Sequence, residues 1–264
     1  MPELPDVQEV IRRIKKKIIN KKIGKIVVLS RKIIVTPAIN RFREALVGKK
    51  IKAISRRGKF ILITLSSTDT LVVHLRMTGD LKIVSSKNKI HKHTRVIFSL
   101  SSGIDLRYID PRKLGKMYLV PDSNFKKIKL LLEMGPEPLS DEFTEEEFRR
   151  ILGKHRGSIK ALLLNQRFIA GIGNVYGDEI LFHAGIHPLK SPDDFSENEI
   201  RTLYSKIKSV LATAVKMRAA PWIHPRWLMG ERGEGGSCPK CSRVLDRVHI
   251  QGRYSYFCPK CQKR

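Results

Sequence analysis

The spacing of apolar residues changes near Asp122, and that change restricts the chain before and after it to folds in which sheet and helix are segregated. Before it, β-branched and apolar runs at 25–29, 51–55, 60–65, 71–75, 81–84, 94–100, 104–108 and 116–120 are separated by Gly, Ser and Lys, with a turn signal at Ser102-Gly103. About eight short strands of this kind predict a β-sandwich or flattened barrel over residues 1–121. A helix flanks it, because Val7, Val10, Ile11, Ile14 and Ile18 fall on one face and Pro5 suits a first helical position. After the change, Phe125, Ile128, Leu131 and Leu132 recur at helical spacing until Gly135-Pro136-Glu137-Pro138 breaks the chain, so residues 122–142 form the interdomain linker region. Residues 143–236 are a helical domain: Thr144 caps a Glu-rich first turn, and further helices run over about 158–165, 175–184 and 197–217. The fold class is α+β, and 264 residues with 41% hydrophobic content are enough to give both domains a core.

The last segment, 237–264, carries all four cysteines. Cys238, Cys241, Cys258 and Cys261 form two C-x-x-C pairs separated by 16 residues, the ligand pattern of one tetrahedral structural zinc. Disulfides are the alternative, disfavoured by the lack of a secretion signal. Residues 244–250 and 253–257 make the two strands of a ribbon with Gln251-Gly252 at the turn, which puts Arg253 at the hairpin tip. An arginine there is either simply solvated or delivered to a phosphate by a metal-anchored hairpin.

Charge narrows the partner. Lys and Arg number 52 against 25 Asp and Glu, a formal charge of +27 that a phosphate polymer would use. An anionic membrane surface would also attract it, and a lysine-rich background accounts for part of it. No long apolar span, signal peptide or lipidation motif is present, so no membrane role is expected.

Two stretches suggest chemistry. Removal of the initiator methionine would leave Pro2 as a secondary amine followed by the Glu3 carboxylate, a nucleophile beside an acid; the alternative is that both merely cap a surface helix. Residues 166–174, with Gly171, Gly173 and Asn174 just before a helix, can expose backbone N–H groups to a phosphate, or can be a simple packing turn.

Taken together, Pro2-Glu3-Leu4-Pro5-Asp6, Arg57-Gly58-Lys59-Phe60, His74-Leu75-Arg76-Met77-Thr78-Gly79, Asp110-Pro111-Arg112-Lys113-Leu114-Gly115, Gly135-Pro136-Glu137-Pro138-Leu139, Gly171-Ile172-Gly173-Asn174-Val175-Tyr176, Ala184-Gly185-Ile186-His187-Pro188 and the cysteines with Arg253 resemble the formamidopyrimidine-DNA glycosylase family, with its endonuclease VIII relatives, over nearly the whole chain. The resemblance implies a β-sandwich joined to a helical domain with a helix-two-turn-helix element and a zinc finger. It also implies a monomer that acts on damaged double-stranded DNA and a cytoplasmic, nucleoid-associated location. By that resemblance Pro2 is the nucleophile and Glu3 the acid. Lys59 and Arg253 complete the catalytic set by contacting phosphates, as Asn174 also does, with His74, Arg156 and Tyr176 further DNA contacts. Met77, Arg112 and Leu114 fill the gap left by an everted nucleotide. Two positions depart from the family's usual pattern: Leu114 stands where a Phe is usual, and Asp6 where a Glu is usual. Arg218 to Ser237 is short and lacks a Thr-rich lid, so 8-oxoguanine is expected to be a poorer substrate than ring-opened purines, oxidised pyrimidines or abasic sites, unless Trp222 or Trp227 supplies a lid. The alternative is a catalytically weakened DNA-binding member, or one with abasic-site lyase activity only, that favours abasic sites or oxidised pyrimidines.

Overall fold

A 15-residue helix is marginal alone in water, so α1 (Leu4–Ile18) depends on what its apolar face covers. Val7, Val10, Ile11, Ile14 and Ile18 are all buried, at roughly 1.5–3 kcal/mol of transfer free energy per side chain. Asp6 sits in its first turn and Lys15, Lys16 and Lys17 in its last, each complementing the helix dipole. The computed structural model describes residues 1–121, 124–218 and 225–264, divided into two compact units.

The first unit comprises Met1–Pro2 and Asp6–Leu132. Its strands are β1 (Ile23–Val28), β2 (Ile34–Thr36), β3 (Ile51–Arg57), β4 (Phe60–Leu65), β5 (Thr70–His74), β6 (Asp80–Ser85), β7 (Thr94–Leu100), β8 (Ile104–Ile109) and β9 (Lys116–Val120). They form a four-stranded sheet, β1-β7-β8-β6, and a five-stranded sheet, β2-β9-β5-β4-β3. Alternate residues of both sheets join the buried face of α1 in one core that includes Ile26, Ile54, Ile61, Val73, Phe98, Leu106 and Met117, so the expected sandwich forms. The structure adds β2 and a helix, α2 (Ile39–Leu46), to the expected elements. Neither carries a readable pattern: β2 is three residues long and pairs parallel with β9, while α2 buries only Phe42 and Leu46.

The second unit comprises Glu3–Pro5 and Glu133–Arg264. The units change at Leu132/Glu133, a position inside the 122–142 region, of which residues 122 and 123 lie outside the described ones. A short helix, α3 (Lys129–Leu132), ends the first unit. In the second, α4 (Glu145–Lys154) starts at Thr144, whose Oγ1 accepts from Glu147 N at 3.1 Å, a cap worth about 1 kcal/mol. Then come α5 (Ile159–Leu164), α6 (Asn174–Ala184) and α7 (Glu197–Arg218) around a core that includes Phe143, Phe148, Leu162, Ile180, Leu203 and Leu211. A hairpin of β10 (Asp246–Ile250) and β11 (Arg253–Phe257) follows. Among the described residues no helix is long and apolar enough to cross a membrane.

Candidate active site

Glu3 belongs to the second unit because of where its carboxylate goes. Oε2 accepts from Gly173 N at 2.8 Å and Tyr176 N at 3.2 Å, and Oε1 accepts from Val175 N at 2.9 Å. These are N–H groups at the start of α6 that have no partner within the helix, and the positive end of the dipole favours an anion there. Leu4 N donates to Gly171 O at 3.0 Å, which holds the same turn from the other side. Gly173 is required: a Cβ at that position would collide with the Glu3 carboxyl group. The glycine-rich turn thus binds an anion, as its pattern allows, and within the chain that anion is Glu3. Its neighbour Pro2 carries the nitrogen that removal of Met1 would free.

In the first unit, Lys59 lies in the turn between β3 and β4 and is 6% exposed. His74 closes β5 opposite Phe60, with ring centroids 4.5 Å apart. Burial, reinforced by the charges of Arg76 and Lys59, pushes the His74 imidazole down to about 3. Its Nδ1 accepts from Arg76 N at 3.0 Å, so the neutral ring holds its proton on Nε2. Lys59, in the turn before β4, and Arg76, just after β5, are thus two cations close to the neutral His74 ring.

Beyond β5, two loops are tied by fully buried Asp110. Its Oδ1 accepts from Thr78 Oγ1 at 2.5 Å and Arg112 N at 3.2 Å, and its Oδ2 accepts from Gly115 N at 2.8 Å and Tyr108 OH at 3.4 Å. A Cβ on Gly115 would overlap the Tyr108 hydroxyl, so the second loop can close only on glycine. The clamp leaves Met77 44% and Leu114 39% exposed, and Arg112 is exposed as well. Solvent-facing apolar side chains on braced loops suit insertion into a base stack better than a place in a core.

In the second unit, Asn174 opens α6, and its Nδ2 donates to Tyr254 O at 2.8 Å. Arg253 starts β11 at the tip of the hairpin and is exposed, as the sequence leads one to expect. Arg156 is exposed and 3.3 Å from Asp193. Tyr176 is 2% exposed: its ring packs in the helical core, its hydroxyl accepts from Arg218 Nε at 3.3 Å and its N–H serves Glu3. Its side chain is therefore not presented on the surface. Trp227 is 5% exposed, with its ring 5.8 Å from that of His183, which places it in the core rather than in a lid. Trp222 lies outside the described residues.

The four cysteine sulfurs lie within 4.8 Å of one another, with Cys241 to Cys258 at 3.5 Å and Cys238 to Cys261 at 3.9 Å. A tetrahedron with bonds of about 2.3 Å has edges near 3.8 Å, so the four thiols fit one zinc ion with no position left for water. The zinc is structural and orders the base of the hairpin. Chelation is expected to release one zinc per chain and to lower duplex affinity at least tenfold, both measurable by metal analysis and titration. Unchanged DNA binding by fully metal-free protein would contradict that role.

Sequence reasoning missed Asp110 and also Asp178 and Glu179, which are buried on α6. Buried acids in otherwise ordinary motifs were the available signal.

Family profiles match three stretches: "Formamidopyrimidine-DNA glycosylase N-terminal domain" over residues 1–117, "Formamidopyrimidine-DNA glycosylase H2TH domain" over 134–222, and "Zinc finger found in FPG and IleRS" over 235–264. A formamidopyrimidine-DNA glycosylase of Pelotomaculum thermopropionicum is 38% identical over 274 residues, covering 100% of this chain and 99% of the relative. One from Carboxydothermus hydrogenoformans is 39% identical over 274 residues, with 100% of each chain covered. Among solved structures, wild-type Lactococcus lactis Fpg in complex with DNA containing N7-benzyl-Fapy-dG superposes with a TM-score of 0.89 at 31% identity, covering 100% of both chains. The same enzyme with DNA containing an oxidised pyrimidine gives 0.91 at the same identity and coverage.

Proposed function

The chain belongs to the formamidopyrimidine-DNA glycosylase family, and from that premise we propose how its own residues carry out base excision. It is a DNA glycosylase of base-excision repair with abasic-site lyase activity, and its substrate is damaged duplex DNA. The observation that carries the assignment of roles is the Glu3 carboxylate, held by three backbone N–H groups one residue from Pro2.

The Pro2 nitrogen attacks the sugar C1′. The N-glycosidic bond breaks, the base leaves with the proton that the Pro2 secondary amine gives up on forming the C–N bond, and loss of the ring oxygen from C1′ then gives an iminium with Pro2. Glu3 takes the proton that the protonated Pro2 amine must lose before it attacks, donates it to the opening ring oxygen, the work of a general acid, and then moves protons during elimination. The iminium serves as an electron sink: loss of a C2′ proton expels the 3′ phosphate, and a second elimination expels the 5′ phosphate. Lys59 contacts the phosphate of the damaged nucleotide, His74 adds another phosphate contact, and Asn174 and Arg253 grip phosphates flanking the lesion. Met77, Arg112 and Leu114 occupy the space the nucleotide leaves, with Leu114 a wedge that stacks less well than an aromatic ring. Arg156 adds an outlying cation. Tyr176 acts through its N–H on Glu3, and no surface contact is assigned to its ring.

The chain is taken to act as a monomer in the cytoplasm, held at the nucleoid by its affinity for DNA. Single-turnover reactions on matched duplexes test the reading. Both ends of the nicked strand are expected to carry phosphate, and abasic, formamidopyrimidine and oxidised-pyrimidine sites to be processed faster than 8-oxoguanine. A product ending in an unsaturated aldehyde would limit the chain to β-elimination, and a fastest rate on 8-oxoguanine would reverse the lesion order.

A further inference from the structure

Asp178 takes no part in the chemistry above, yet it is the most heavily bonded side chain of α6. It lies one turn after Asn174 and is 1% exposed. Its Oδ1 accepts from Lys160 Nζ at 2.5 Å and from Ser255 Oγ. Its Oδ2 accepts from Arg232 Nε at 2.9 Å and Tyr256 N at 3.2 Å. Donors therefore converge on it from α5, from the segment ahead of the zinc module and from β11.

The bonds close a ring. Lys160, itself fully buried, also donates to Asn174 O at 2.7 Å, and Asn174 Nδ2 donates to Tyr254 O at 2.8 Å. The start of α6 and the strand that begins with Arg253 are thus joined twice, once directly and once through Lys160 and Asp178. A two-stranded ribbon has little stability of its own, and the apolar cluster beneath this one is small: Phe182, Leu228, Leu245 and two of the cysteines. Replacing a buried ion pair with apolar side chains often costs nothing, so stability alone does not account for this one. What directional bonds add is register.

We propose that Asp178 is a positioning residue for DNA binding: it fixes the hairpin on α6 so that Arg253 and Asn174 engage their phosphates as one unit. This rests on the reading of Asn174 and Arg253 as phosphate contacts.

The test uses zinc-loaded full-length protein and a duplex with a stable abasic analogue, with Kd measured across salt concentrations. Arg253→Ala is expected to weaken binding about tenfold and to lower the logarithmic salt slope by about one. Asp178→Asn is expected to do the same. That sign is informative, because removing an acid raises the net positive charge and by long-range electrostatics alone would tighten binding. In the double variant the second substitution should add less than twofold. Should Asp178→Asn fail to fold, Ser255→Ala removes one donor without exposing a charge, and a smaller loss of the same sign is expected. Zinc content and melting temperature are measured alongside, since a merely structural Asp178 would lower the melting temperature without coupling to Arg253. Wild-type or tighter binding by folded Asp178→Asn, or multiplying effects in the double variant, would overturn the positioning role. A silent Arg253→Ala would instead overturn the phosphate reading beneath it.

Discussion

An N-terminal extension that keeps the Pro2 nitrogen in a peptide bond is expected to abolish strand cleavage at abasic sites, with a loss of at least about 10³-fold. The reason is chemical: an amide nitrogen has no available lone pair, so no iminium forms and the elimination steps lose their electron sink. Borohydride added during reaction of the unextended protein with an abasic duplex is expected to leave a stable adduct attached through residue 2, on a chain whose mass lacks Met1. Extended protein should bind the same duplex and give no adduct. Trapping at an internal lysine, or undiminished cleavage by the extended form, would move the nucleophile elsewhere, with Lys59 the first residue to examine.

Glu3→Gln should be nearly as damaging, because positioned proton transfer contributes about 10² to 10⁴ to such reactions. Structure adds a second effect. The amide puts an NH2 group where a carboxylate oxygen now accepts from Gly173, Val175 or Tyr176, and an unmet buried donor costs about 1–3 kcal/mol. Melting of the helical unit should therefore fall along with the excision rate. Glu3→Asp separates the two effects: it keeps the charge on an arm too short to span the same N–H groups, so part of the chemistry is expected to survive with weaker anchoring. Excision within threefold of wild type by folded Glu3→Gln would remove Glu3 from the mechanism.

Much of this protein is legible one segment at a time. The buried face of α1, the Thr144 cap, the Gly173-to-Asn174 helix start and the two C-x-x-C pairs each depend on residues a few positions apart, where spacing maps directly onto geometry. The exposure of Met77, Arg112 and Leu114 is legible for the same reason, since a short loop leaves its tip in solvent. The parallel pairing of β2 with β9 and the short α2 lie outside that reach: three residues hold no period, and a helix of eight with two buried side chains resembles a turn.

The residues themselves determined the family, the zinc site and the segregation of the sandwich strands from the helices that follow. Tertiary structure alone decided what those residues touch. Glu3 meets N–H groups 170 to 173 positions away, Asp178 meets Ser255 at a separation of 77, and Asp110 joins loops 32 residues apart. A buried acid must find its donors wherever the fold brings them, because an uncompensated charge in the interior is too costly to keep. Local sequence reports that an acid is present, and only the closed chain reports which backbone groups and which cations satisfy it. For the same reason Tyr176, which the motif presents as a surface contact, proves to be a core residue whose N–H, rather than its ring, serves the site.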